Sequence, residues 1–280
     1  MIVKALAYAK INLGLQICDK RPDGFHNLRM VTQSISIADR IIVKKAKHFD
    51  INVIGTKTIT KKKNIVLKGA ENFFAKTGTR FGVEIFIKKN IPIGAGLGGG
   101  SADAAAVILA MKKISKIKLS DESLFEIALN TGSDVPLCIV GGTLSVEGTG
   151  EKIEPLKPLK NCKIIIAVPD LRCETKKIYA MYDLYKKSNP SIATNGNERM
   201  ENLKKCIKLE KIEDILVNTF NDFEKVIKCN AKGFRITGSG SASYFFADKK
   251  SYLEEIIEHT KSQGFKTFVC EPVRFGVKLS

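Results

Sequence analysis

Between Ala5 and Ile17 every second residue is apolar: Ala5, Ala7, Ala9, Ile11, Leu13, Leu15 and Ile17 share one face. This period of two predicts a half-buried strand. Its other face carries Tyr8, Lys10, Asn12 and Gly14. The turn-rich stretch RPDGFHNL (21–28) follows, then two further strands at 29–37 and 40–46. Asn64 can cap a helix ending near Gly78, with Leu67, Ala70, Phe73 and Phe74 towards a core. Val83, Ile85 and Ile87 alternate as another strand. Helices are predicted from Ser101 to about Ile114 and from Ser120 to Gly132, and a strand over 137–146. Residues 148–161 (GTGEKIEPLKPLKN) hold two prolines and little periodicity, which predicts a domain boundary. Beyond it the pattern predicts strands at 163–168, 233–237, 242–247 and 266–271. Helices are predicted near 174–186, 198–208, 212–228 and 249–263. Strands and helices mix in both halves, so the expected class is α+β, with domains over 1–155 and 156–280.

Composition narrows this little. The chain has 280 residues, enough for one large or two modest domains, and its 44% hydrophobic and 27% charged content is ordinary for a globular protein. There is no apolar run of about 18 residues, which predicts no membrane-spanning helix. The start, MIVKALAYAK, lacks the pattern of a signal peptide, so the cytoplasm is the expected compartment. The cysteines at 18, 138, 162, 173, 206, 229 and 270 form no C-x-x-C pair, and the three histidines lie far apart. Reduced thiols are expected, and no protein-built metal site. The net charge of +17 suggests an anionic partner, but the lysines are spread. Their densest run, KKK at 61–63, has no interleaved aromatics. A solvated basic face accounts for this better than a nucleic-acid patch, so neither nucleic acid nor membrane is an expected partner.

The chemistry concentrates in IPIGAGLGGGSADAAA (91–106), with glycines at 94, 96, 98, 99 and 100 directly before a helix. Glycine lets backbone amides approach a ligand closely. A helix start adds unsatisfied N–H groups and the positive end of the dipole, so the segment predicts a phosphate site with Ser101 as the helix cap. Residues 94–99 also match G-x-G-x-x-G, a weak sign of dinucleotide binding, without the acid expected on a second strand. A G-K-[ST] phosphate loop is absent. A tight strand-to-helix turn would not need so many glycines. A second candidate is Asp134 in the loop TGSDVP, where Pro136 is expected to hold Val135 extended. An aspartate in a loop is most often a turn or cap residue, and can also serve as a general base.

The glycine segment resembles the phosphate loop of the GHMP kinase superfamily, which includes galactokinase, homoserine kinase, mevalonate kinase and phosphomevalonate kinase. AYAKINLGLQICDKRPDGFHNL (7–28) is similar to the N-terminal signature of the 4-diphosphocytidyl-2-C-methyl-D-erythritol kinase family. GSDVPLCIVGGTLSVEGTGEKIEPL (132–156) and RITGSGSASYFF (235–246) resemble that family's later motifs, in the same order. The resemblance implies a two-domain fold, an N-terminal ATP-binding domain and a C-terminal ferredoxin-like domain with the active site in a cleft between them. It implies ATP-dependent phosphorylation of the 2-hydroxyl of 4-diphosphocytidyl-2-C-methyl-D-erythritol, a step of the non-mevalonate route to isoprenoid precursors. ATP contacts would come from Pro92, Ile93, Gly94, Ala95, Gly96, Leu97, Gly98, Gly99, Gly100, Ser101 and Ala102, with Asn64. Asp134 would be the base, and Lys10 beside it would favour the alkoxide-like oxygen as it forms. Phe25 and Tyr179 would stack on the cytosine, and His26 would contact it through both its backbone and its side chain. Asn12 would contact the erythritol part, with Thr175, Gly238 and Ser239 also lining the substrate site. Mg²⁺ would accompany ATP, held largely by phosphates and water, with Asp103 as a candidate outer contact. A monomer or weak homodimer is expected.

Two positions depart from the family pattern: Ala102 where a second serine is usual, and Phe25 where tyrosine is usual. Each removes a hydroxyl near a ligand. Other functions remain open from sequence: a different kinase of the superfamily, a non-catalytic sensor or basic nucleic-acid module, and a nicotinamide-dependent enzyme.

Overall fold

The computed structural model describes residues 1–48, 50–54, 64–171, 173–189, 195–229, 231, 233–247 and 250–280, with backbone alone for 50–54 and 250–252. The lysine run at 61–63 lies outside the described residues. Two long antiparallel strands form the frame: β1 (Ile2–Lys20) and β2 (His26–Ala46). The two strands expected at 29–37 and 40–46 are thus one. The pairing slips where Tyr8 faces Ala38 but Ala9 faces Ile35, so Ser36 and Ile37 are absorbed as an irregularity and the chain makes no turn there.

A second slip lies between Asn12 and Gly14. Such irregularities bend and twist a strand. The odd-numbered apolar residues of β1 therefore divide between two cores. Ala5, Ala7, Leu15 and Ile17 join one with the helices, while Ala9, Ile11 and Leu13 join another with the C-terminal half. The expected single apolar face is corrected accordingly. The polar face is also covered, leaving Lys10 5% and Asn12 0% exposed.

Around this pair the first sheet adds β3 (Asp50–Ile54), β4 (Gly82–Lys88), β5 (Thr143–Gly148) and β6 (Lys152–Pro155). Helix α1 (Ile65–Thr77) starts at Asn64, whose Oδ1 accepts a hydrogen bond from Val66 N at 3.0 Å, and ends at Gly78 with φ 66°. Both ends are as the sequence predicts. Helix α2 (Gly99–Ser115) is buried along most of its length by alanine, valine and isoleucine, and packs on β1 and β2. Helix α3 (Asp121–Thr131) is capped by Ser120.

The strand expected at 137–146 is corrected: Val135–Val140 is a short helix, α4, and β5 begins only at Thr143. A six-residue apolar run does not distinguish helix from strand by pattern. Gly141 and Gly142, at φ 69° and 86°, end the helix between them. Pro136 sits in the first turn of α4, where its missing N–H costs nothing, so Val135 is helical and not extended.

The C-terminal half holds β7 (Lys163–Val168), α5 (Thr175–Ser188), α6 (Gly196–Leu209), α7 (Ile212–Asn218), β8 (Phe220–Asn221), β9 (Arg235–Ile236), β10 (Ser243–Ala247), α8 (Lys250–Ser262), β11 (Lys266–Cys270) and β12 (Val277–Leu279). Its antiparallel sheet has the order β11-β7-β10-β9, the arrangement of a ferredoxin-like domain. The helix expected over 212–228 stops at Asn218. Asn221 there serves a different purpose: its Nδ2 donates to Ile236 O and Gly238 O, and its Oδ1 accepts from Phe223 N. β8 pairs with Gly14 and Leu15 of β1, and β12 pairs with Ala5–Ala7, so both return to the first sheet. Neither short strand has a period long enough to read from sequence.

Candidate active site

Lys10 lies in a stretch of β1 enclosed from several sides. Its backbone N–H donates to Leu97 O (3.0 Å), tying the strand to the glycine loop. Its Nζ donates to Asn12 Oδ1 at 2.7 Å and stands 3.4 Å from Asp134 Oδ2. The ammonium is nearly buried while the carboxylate is 32% exposed. A charged pair with one open oxygen can both attract and take up a proton from a bound hydroxyl. Asp134 is the residue preceding α4, and its side chain makes no capping bond, which leaves the carboxylate uncommitted to the backbone.

The glycine loop curls between Lys10 and the loop at 237–242. Gly94, Gly96 and Gly98 have φ of 72°, 79° and 71°, a region costly for other residues. At Gly98 a Cβ would lie 2.9 Å from Lys10 Cγ, so the loop backbone rests on the lysine stem. Ala242 N donates to Ala95 O (3.1 Å), and Asn12 N donates to Thr237 Oγ1 (3.0 Å). α2 starts at Gly99 with Gly98 as its cap residue; the expected cap, Ser101, is already inside the helix. The first intrahelical bond is Ala102 N to Gly98 O (3.0 Å), and no side chain caps the end. The amides of Gly99, Gly100 and Ser101 therefore carry the helix dipole without an acidic neighbour in the first turn, a fitting cradle for phosphate.

Behind the loop, Lys89 bridges two buried carboxylates, Asp39 and Asp103, the latter at 2.6 Å. Asp39 also accepts the amides of Asn90 and Ile91 at 2.6 and 2.9 Å. Burial works against the Lys89 charge, but the two carboxylates more than offset it and raise its pKa. Burial, with Asp39 adding to it, makes Asp103 a weak acid despite Lys89. The Asp103 side chain is buried, with Oδ2 accepting from Lys89. Lys89→Met is expected to destabilise the fold by about 3–5 kcal/mol, because it strands buried carboxylates. Urea melts of the purified variant check this; a loss below about 1 kcal/mol would contradict it.

The remaining residues fall into two groups. Thr175 Oγ1 and Ser239 Oγ are 2.8 Å apart, joining the start of α5 to the loop at 237–242 beside Gly238. His26 stacks on Tyr179, with centroids 5.1 Å apart and 20° between planes, and Tyr179 packs edge-on to Phe223. Burial, reinforced by the charge of Asp134, pushes the Tyr179 phenol up. Phe25 stands on the β1–β2 turn, 66% exposed, and is not brought against Tyr179. Asn64 is occupied as the α1 cap. Pro92 and Ile93 lie at the loop's entry, and Ala102 is buried in α2.

Residues 64–142 match the family described as "GHMP kinases N terminal domain". A relative from Carboxydothermus hydrogenoformans, a 4-diphosphocytidyl-2-C-methyl-D-erythritol kinase, is 35% identical over 279 residues, covering 96% of each chain. The chain belongs to the 4-diphosphocytidyl-2-C-methyl-D-erythritol kinase family. Another kinase of the same name, from Caldicellulosiruptor bescii, is 37% identical, covering 94% of this chain and 99% of its own. A crystal structure of 4-(cytidine 5'-diphospho)-2C-methyl-D-erythritol kinase superposes with a TM-score of 0.75 at 25% identity, covering 96% of this chain and 98% of its own. A homoserine kinase from Cytophaga hutchinsonii shares the fold, with a TM-score of 0.74 at 17% identity, covering 100% and 97%. In this member of the 4-diphosphocytidyl-2-C-methyl-D-erythritol kinase family, sequence reasoning missed Thr237, Lys89, Asp39 and Asp183. Thr237 opens the motif TGSGSAS and was within reach. Asp183 lies one helical turn after Tyr179, a spacing that places both on one face. No spacing links Asp39 to Lys89.

Proposed function

We propose that this kinase transfers the γ-phosphoryl group of ATP to the 2-hydroxyl of 4-diphosphocytidyl-2-C-methyl-D-erythritol. The observation that carries the reading is the Lys10–Asp134 pair, 3.4 Å apart, beside a glycine loop bonded directly to Lys10. The loop amides at Gly99–Ser101 would hold phosphate oxygens. Asp134 accepts the hydroxyl proton as the oxygen attacks phosphorus, and Lys10 offsets the negative charge gathering there. Asn12 fixes the Lys10 ammonium at 2.7 Å, which limits its freedom to leave the carboxylate. Magnesium, carried with ATP, would neutralise phosphate charge and is read as held largely by phosphates and water.

His26 and Tyr179 are read as the cytosine-binding groups, with Phe25 on the turn free to close over the base. Thr175, Gly238 and Ser239 are read as lining the substrate site. The positive charge of the chain suits two polyanionic substrates. We place the domain division at 155/156, with β8 and β12 returning to the first sheet. Among the described residues no helix is long and apolar enough to cross a membrane. A cytoplasmic enzyme, monomeric or weakly dimeric, fits this reading.

ADP release from Mg-ATP tests the assignment. Release is expected with 4-diphosphocytidyl-2-C-methyl-D-erythritol and not with 2-C-methyl-D-erythritol 4-phosphate, homoserine or mevalonate. Release with homoserine or mevalonate instead would keep the loop and base but overturn the substrate.

A further inference from the structure

His26 is held more tightly than base contact alone requires. One face of its ring lies on Tyr179, and its Nε2 is 2.7 Å from Asp183 Oδ1. The side chain is 7% exposed. Asp183 Oδ2 accepts from Lys20 Nζ at 2.5 Å, so each carboxylate oxygen has its own donor. Burial opposes the charge of Asp183, yet the hydrogen bonds from Lys20 and His26 hold its carboxyl below the usual range. An ionised carboxylate only accepts, so the hydrogen between it and His26 belongs to Nε2. In the neutral ring this leaves a lone pair on Nδ1, which has no hydrogen-bond partner among the described residues.

We propose that Asp183 is a positioning residue that fixes the tautomer of His26 and so selects a base bearing an exocyclic amino group. This rests on the reading of His26 as a base contact. An Nδ1 lone pair accepts from the 4-amino group of cytosine and repels the 4-oxygen of uracil. The selection depends on charge at position 183. In Asp183→Asn the amide oxygen is drawn to the Lys20 ammonium, which can only donate, and the amide N–H₂ turns towards His26. Nε2 must then accept, the proton moves to Nδ1, and the acceptor facing the base becomes a donor. A site that rejects a ligand by leaving buried polar groups mismatched discriminates far more strongly than one relying on shape.

The test combines two readouts on the full chain. Long-range ¹H–¹⁵N spectra of histidine-labelled protein, with His26 assigned by its loss in His26→Gln, report the proton position directly. The hydrogen shared with Asp183 is expected on Nε2 with Nδ1 bare in the wild type, and the ring hydrogen on Nδ1 in Asp183→Asn. In parallel, kcat and KM with Mg-ATP are measured for the cytidine substrate and its uridine counterpart. The preference for cytidine is expected to fall at least about tenfold in Asp183→Asn, through KM and not kcat, about 1.4 kcal/mol of discrimination. A wild-type ring protonated on Nδ1 or on both nitrogens, or an unchanged base preference in Asp183→Asn, overturns the proposal. An unaltered KM for the cytidine substrate in His26→Gln overturns the base-contact reading itself, and the selection with it, even where the spectra show Asp183 setting the tautomer.

Discussion

Asp134→Asn is expected to lower kcat by roughly 10²–10⁴-fold, with ATP affinity retained. The substitution is nearly isosteric and takes nothing from the backbone, since the Asp134 side chain makes no capping bond to α4. It removes the only carboxylate within ion-pair distance of Lys10 among the described residues. What is lost is the proton acceptor beside the attacking hydroxyl and the counter-charge for a nearly buried ammonium. Single-turnover kinetics with excess ATP, alongside a thermal melt, separate the chemical loss from any loss of fold. Turnover within about fivefold of wild type in a folded variant would remove Asp134 from the proton transfer, since a positioned base contributes at least about a hundredfold.

Gly98→Val is expected to damage binding and chemistry together. Gly98 has φ 71°, where a β-branched residue is strained by about 1–3 kcal/mol. Its new Cβ would also meet Lys10 at 2.9 Å (Cγ) and 3.1 Å (Cε), pushing the ammonium from Asn12 and Asp134. Since Gly98 also begins α2, the amides that would receive phosphate shift with it. We expect ATP affinity to fall at least about tenfold, near 1.4 kcal/mol, and kcat to fall as well. Gly100→Ala is the matched control: its Cβ meets only Ile65 Cγ2 at 3.5 Å, an ordinary contact, so its melting temperature should be kept. Equal nucleotide titrations for Gly98→Val and wild type would contradict this account of the loop.

These two residues also show what the sequence made legible. The glycine loop announced itself because glycine has few other reasons to cluster before a helix, and the helix starts within two residues of the expected place. Lys10 was different. Its alternating strand reads as a wet face, and only the closure by α4, the glycine loop and the 237–242 loop buries it. The slips in β1 pairing, which send Ala9, Ile11 and Leu13 to a second core, depend on how β2 folds against it. Helix or strand over 137–146 was decided by Gly141 and Gly142, not by the apolar run. The Asp39–Lys89–Asp103 cluster and the Asp183–His26 contact join residues 14 to 157 positions apart. Only the folded chain places such groups together, because local periodicity carries no information on long-range pairing.

A Lys10–Asp134 pair that activates one particular hydroxyl fixes where the phosphate goes. The ³¹P and ¹³C NMR spectra of the product formed from Mg-ATP and 4-diphosphocytidyl-2-C-methyl-D-erythritol read that position. One new phosphomonoester is expected, coupled to the methyl-bearing C2 carbon, with the diphosphate bridge intact. A phosphate on any other oxygen, or cleavage of the bridge, would contradict it.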